Sequence, residues 1–210
     1  MQLVGKLIIK SKKKIIEFLN EESTGRIASI DKNGFPQIIP MNFVFLEDSI
    51  YMHSHVRGEK IDNIKRDSKV GFEVDKNLEF LPSYFSDPND ASLADTFYIS
   101  VVIKGDAKIV EDENEKVLAL NGLMKKYQPE GGYQSMTSDM EVLEHTAVIK
   151  VKPKEMNGKY KIGQNMSKKD KIDIASKILE RNSSTARETL EIMGFGVVEG
   201  KAVLKTDEVW

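Results

Sequence analysis

The chain has 210 residues, 40% of them hydrophobic and 30% charged, with no cysteine and a formal net charge of -2. That suits one well-packed domain with an appendage, and it excludes a disulfide framework, a thiolate nucleophile and a thiolate metal site. No apolar run approaches the roughly 20 residues a membrane helix needs, no export signal is read at the lysine-interrupted start, and the charge balance gives no bulk attraction for phosphate backbones. A cytoplasmic protein with neither a membrane nor a nucleic-acid partner is therefore expected.

Ser11 can cap a short helix whose apolar residues Ile15, Ile16 and Leu19 fall near helical spacing. "GRIASID" and "PQIIPMNFVFL" read as strands about a turn at Asn33 and Gly34, and "SIYMHS" follows within a few residues. Connections this short favour antiparallel pairing. In "GEKIDNIKRD" the spacing of Ile61 and Ile64 predicts a short surface helix before "KVGFEVD" resumes alternation. The stretch 76–95, with Pro82 and Pro88, lacks a sustained period and reads as a long loop.

"TFYISVVIKGDAKIV" is a strand rich in β-branched residues, and "EDENEKVLALNGLMKKY" a helix with acids early and lysines late. "HTAVIKVKP" gives a sixth strand, ended by Pro153. Six strands with inserted helices suggest an α+β fold, mainly β: an antiparallel Greek-key barrel, closed or nearly so because closure removes exposed edges. From residue 166 the composition shifts to two helices around "RNSS", with Ser183 or Ser184 capping the second, then a hairpin around Glu199 and Gly200 or an arm. The expected organisation is a barrel domain over 1–165 and a helical extension over 166–210.

"SIYMHSHVRGEKIDNIKRD" concentrates the chemistry. His53 and His55, two apart on a strand, could face one metal ion with His145, Glu59 or Asp62 as a third ligand, but Arg57 and Lys60 would repel a divalent cation. No metal site is expected. Gly58 at the opening turn of a helix, with Arg57 and Lys60 beside it, instead suits a dianion. Solvated charges on a surface helix are the plainer alternative, and spacing alone leaves both open.

The stretch from "GRIASID" to "KVGFEVD", followed by "FYISVVIKGDAKIVEDENEK", resembles the FMN-binding split barrel of the pyridoxamine 5'-phosphate oxidase-like superfamily, and within it the nitroimidazole-resistance type, over roughly residues 7–165. The resemblance implies a homodimer with FMN at the subunit interface. It implies that Lys60 clamps the flavin phosphate, with Arg57 and Gly58 beside it, and that Met41, Asn42 and Phe43 meet the ring edge. By the same likeness His53 and Ser54 face the ribityl chain and phosphate, and Ser100 reaches the flavin from a neighbouring strand. His53 would also orient an acceptor or supply a proton. Gln164 and Asn165, in "KIGQN", resemble contacts in flavin-binding regulators of the PaiB type, with a plain turn as the alternative.

The implied activity is electron transfer from NAD(P)H through FMN to a small nitroaromatic or quinone-like acceptor. A flavin-holding regulator, or a barrel holding haem or deazaflavin F420, is the competing expectation. Vitamin B6 oxidation is not expected, because Glu59 stands where the oxidases carry an arginine. Tyr84, Phe85, Tyr127 and Tyr133 are candidate roof residues over an acceptor.

Overall fold

The computed structural model describes residues 5–206. In chain order the strands and helices are β1 (Ile8–Ile9), α1 (Lys12–Glu21), β2 (Thr24–Ile30), β3 (Pro36–Asn42), β4 (Val44–Leu46), β5 (Ser49–His55), α2 (Glu59–Arg66), β6 (Lys69–Leu81), β7 (Asp95–Ile109), α3 (Glu113–Tyr127), α4 (Val142–His145), β8 (Thr146–Lys161), α5 (Lys168–Arg181), α6 (Ala186–Ile192), β9 (Phe195–Val198) and β10 (Lys201–Leu204). They fall into two units. One comprises Lys12–Val74 and Val101–Asn157, the other Met1–Ser11, Asp75–Ser100 and Gly158–Trp210, so the described part of the extension, residues 166–206, shares a unit with earlier segments.

In the first unit the strand order is β3-β2-β6-β7-β8-β5-β4, and every pair with a defined register here is antiparallel. The ladder thus begins at β3 and ends at β4, yet these two strands are separated by Phe43 alone. The ring is closed by one residue of chain, not by hydrogen bonds. The reading of 36–46 as a single strand is corrected at this point.

A buried residue without ladder partners needs others. Phe43, 0% exposed, donates its N–H to the Tyr127 hydroxyl oxygen at 2.8 Å, and that hydroxyl's single hydrogen faces the carbonyls of Ser23 and Phe43. The Phe43 ring packs edge-on against Phe72 with centroids 5.1 Å apart and carries the Lys126 ammonium 3.8 Å from its centre. Lys126 also donates to the carbonyl of Leu19, near the end of α1, at 2.9 Å. The end of α3 therefore holds the corner and α1 together.

The start of α3 is fixed by a polar cluster. Glu115 accepts from the wholly buried Tyr51 of β5 at 2.9 Å and from Lys150 of β8 at 2.6 Å. Lys150 holds the Glu115 carboxyl below its usual range. Between these ends Ala119, Leu120 and Leu123 pack with Val44, Tyr51, Val110, Leu143 and Val148.

In the second unit β1 pairs with the end of β8, through Ile8 with Lys159 and Ile9 with Gly158. β6 runs on to Leu81, through residues expected to be loop. Glu79 disguises this in the sequence, because it occupies a buried strand position and is 4% exposed. It accepts from Arg181 at 3.1 Å, Ser183 at 2.5 Å and Thr185 at 2.9 Å, pinning the α5–α6 junction. Ser183 is thus engaged by Glu79, and Thr185, not a serine, stands at the start of α6. β8 continues through Pro153, which lies two residues past Val151, the last partner of β5, so its missing N–H costs no bond to that strand. β9 and β10 form a hairpin whose turn is Glu199 and Gly200, both at positive φ.

Tyr127→Phe removes the acceptor of a buried N–H. It should lower the unfolding free energy by about 1–3 kcal/mol, read from urea denaturation; an unchanged midpoint would show that Phe43 is held otherwise.

Candidate functional site

The residues singled out on β3, β5 and α2 lie in the first unit. On β3 exposure alternates, and Gln37, Ile39 and Met41 share the less exposed face. α2 lies against this hairpin, burying Ile61 and Ile64 and, on the same face, Asn63, which is 1% exposed. The Asn63 amide donates to Ser29 at 3.3 Å and to Gln37 at 3.2 Å, and its carbonyl oxygen accepts from Arg66 at 2.9 Å. Gln37 in turn donates to the Glu59 carboxylate. A polar residue between the two isoleucines was the available signal for this network, which sequence reasoning missed.

The network fixes the first turn of α2. Gly58 at its start has φ 141°, a conformation that L side chains rarely adopt, although the space beside it is open. Its carbonyl accepts from Ile61 at 2.9 Å and Asp62 at 3.1 Å. Among the described residues no side chain caps the helix. The N–H groups of Glu59 and Lys60 thus have no acceptor among the described residues and lie at the positive end of the helix.

Lys60 is half-buried, and the one hydrogen-bond partner of its ammonium among the described residues is the Met41 sulfur, at 3.2 Å. Burial holds this ammonium below its ordinary pKa. A thioether is a weak acceptor, so the charge is poorly compensated. Arg57, exposed in the turn before α2, also has no partner for its guanidinium among the described residues, whereas Glu59 is held by Gln37. The first turn of α2 thus brings the Lys60 ammonium, with Arg57 just before it, together with the Glu59 and Asp62 carboxylates.

His53 and Ser54 end β5, opposite Val148 and Ala147. His53 is exposed, with no hydrogen-bond partner among the described residues. The Nδ1 of His55 accepts from the Arg57 N–H at 3.1 Å, so this imidazole shapes the turn leading to Gly58. Among the described residues no group of three or more His, Asp and Glu side chains is placed to hold a metal ion. Met41 is half-buried and Asn42 exposed. Phe43 differs from both, since its ring is wholly buried and its backbone N–H is taken by Tyr127. Tyr127 is accordingly a corner post and not a loop aromatic.

Ser100, Gln164 and Asn165 belong to the other unit. Ser100 is half-buried on β7 and Asn165 exposed. The Gln164 amide group bonds to the carbonyls of Lys6 and Tyr160 at 3.1 and 3.0 Å and to the N–H of Ile162 at 2.9 Å, so it holds the turn after β8. In the same unit Tyr84 is exposed and Phe85 buried.

The chain matches the family model described as pyridoxamine 5'-phosphate oxidase over residues 11–160. None of the curated proteins compared with it matches in sequence. Among solved structures it is similar to a Bacteroides thetaiotaomicron protein named for 5-nitroimidazole antibiotic resistance, at 24% identity and a TM-score of 0.63, covering 73% of this chain and 86% of that one. It is also similar to a flavocytochrome of Azotobacter vinelandii (18%, TM-score 0.64, covering 74% and 69%) and to an FAD- and haem-binding protein of Mycobacterium smegmatis (13%, TM-score 0.62, covering 73% and 72%). These likenesses establish the fold as a split barrel.

Burial lowers the pKa of Lys126 to about 8 from 10.5, against the opposing charge of Glu22. Between those values the unfolded chain holds a proton that the folded chain has lost, so stability gains with rising pH. The melting temperature of the native chain, relative to that of Lys126→Met, should therefore rise from pH 7 to pH 10; parallel profiles would contradict the assignment.

Proposed function

Because the chain belongs to the pyridoxamine 5'-phosphate oxidase family, we propose that it is a flavoprotein whose flavin is FMN, with the phosphate held by Lys60 and the first turn of α2. The observation that carries this reading is the half-buried Lys60 ammonium, whose one described partner is a thioether. A phosphate dianion there gains a charge-assisted bond from Lys60 and bonds from the free N–H groups of Glu59 and Lys60. Gly58 permits the turn, and Arg57 and Ser54 are the further residues proposed to meet the phosphate. Met41 and Asn42 offer the edge of β3 to the ring, while Phe43 holds the corner from within.

When bound, FMN supplies hydride and single-electron chemistry. The chain's own residues bind and orient it. His53, exposed on β5 and without a hydrogen-bond partner among the described residues, is the residue proposed to orient an acceptor or deliver a proton. NAD(P)H is the proposed donor, and a small nitroaromatic or quinone the proposed acceptor. A homodimer is proposed as well: Ile30 and Ile38, on the exposed face of the β2–β3 hairpin, and Phe35 at its turn leave 44%, 63% and 68% of their surface for a second copy to cover. The FMN site as proposed draws on one unit alone.

The purified protein should show a flavin spectrum and release FMN on denaturation; a Soret band would indicate haem instead. Lys60→Glu should weaken FMN binding by about tenfold to a hundredfold or more, measured by titrating the stripped full-length chain. An unchanged affinity would refute the phosphate assignment. Repeated turnover of NAD(P)H with an added acceptor distinguishes an enzyme from a flavin-holding regulator.

A further inference from the structure

Met41 is more than a neighbour of the proposed site. It lies on β3 opposite Gly25, on the face shared with Gln37, and its sulfur is the one acceptor of the Lys60 ammonium among the described residues. It is half-buried, whereas Met52 and Met193 are wholly enclosed. Met124, Met136, Met140, Met156 and Met166 are also partly exposed, but among the described residues none has its sulfur hydrogen-bonded to a cation.

We propose that Met41 is a modification site: its oxidation to the sulfoxide by hydrogen peroxide places an oxygen on the Lys60 ammonium and closes the anion site. This rests on the reading of Lys60 as the phosphate-binding cation. In the step, the Met41 sulfur lone pair forms a bond to one peroxide oxygen and the O–O bond breaks. The other oxygen departs as hydroxide and takes the proton of the transferred oxygen, giving water. The thioether is oxidised by two electrons and the peroxide is reduced.

The consequence follows from acceptor strength. The sulfur at 3.2 Å competes poorly with a phosphate for the Lys60 protons. A sulfoxide oxygen on that sulfur competes well, and α2 cannot turn away from it because Asn63 is bonded to both β2 and β3. Oxidation then adds an internal rival for the half-buried cation proposed to hold the dianion, and methionine sulfoxide reductases can reverse it.

The test uses the stripped full-length chain before and after treatment with hydrogen peroxide, with FMN and inorganic phosphate as probes and peptide mass spectrometry to locate the added oxygen. Oxygen should appear at Met41, and the dissociation constants of both probes should rise about tenfold or more. A sulfoxide reductase should restore them. In Met41→Leu, whatever its starting affinity, the ratio of treated to untreated constants should stay near one. Three results would overturn the proposal: no oxygen at Met41, oxygen there with unchanged constants, or an equal loss in Met41→Leu. If the untreated chain binds neither probe, the FMN reading fails and this inference falls with it. If it binds both and peroxide changes nothing, the inference fails alone.

Discussion

Partial withdrawal from water disfavours the charged form of a lysine, and a bound anion offsets that cost. Lys60 is in that position, with a thioether as the one described partner and its pKa held down by burial. The helix cannot rotate to release it. Asn63 anchors α2 to Ser29 and Gln37, while Ile61 and Ile64 are sunk in the core. Rigid elements thus hold an uncompensated charge beside unpaired backbone N–H groups, and that arrangement is worth maintaining where an anion binds.

The same placement depends on a corner one residue long. β3 must leave the ladder at Asn42 for its alternate residues to lie against α2, and β4 must begin at Val44 to pair with β5. Phe43 makes that change with its backbone satisfied by a phenol hydroxyl and its ring between Phe72 and Lys126. Core packing and site geometry therefore meet in one short stretch, Met41 to Phe43. Neighbouring residues divide the work: Met41 meets the cation and Phe43 closes the ring.

Much of this was legible in the sequence where the determining contact is local. The first helix follows Ser11, the β2–β3 turn sits at Asn33 and Gly34, and α2 and α3 fall where apolar spacing and charge order put them. What was hidden comes from distant partners. Nothing near Phe43 announces that Tyr127, 84 positions away, ends the ladder there. Glu79 looks like a loop residue until Arg181, Ser183 and Thr185 surround it. The β4–β5 turn is made by Glu47 and Asp48 at positive φ, with no glycine to mark it. Within the proposed site, spacing put Lys60 just after Gly58 in the opening turn of α2 but left solvated charges as the alternative, and its role as a phosphate clamp rests on the family resemblance. The contact of Lys60 with Met41, and the structural duties of His55 and Gln164, needed the folded chain.

The value of the Lys60 cation is read most directly by comparing two ligands that differ by a phosphate. With the stripped chain at low ionic strength, FMN should bind about a hundredfold more tightly than riboflavin, as a charge-assisted phosphate contact implies. Equal dissociation constants for the two would contradict a phosphate site at Lys60.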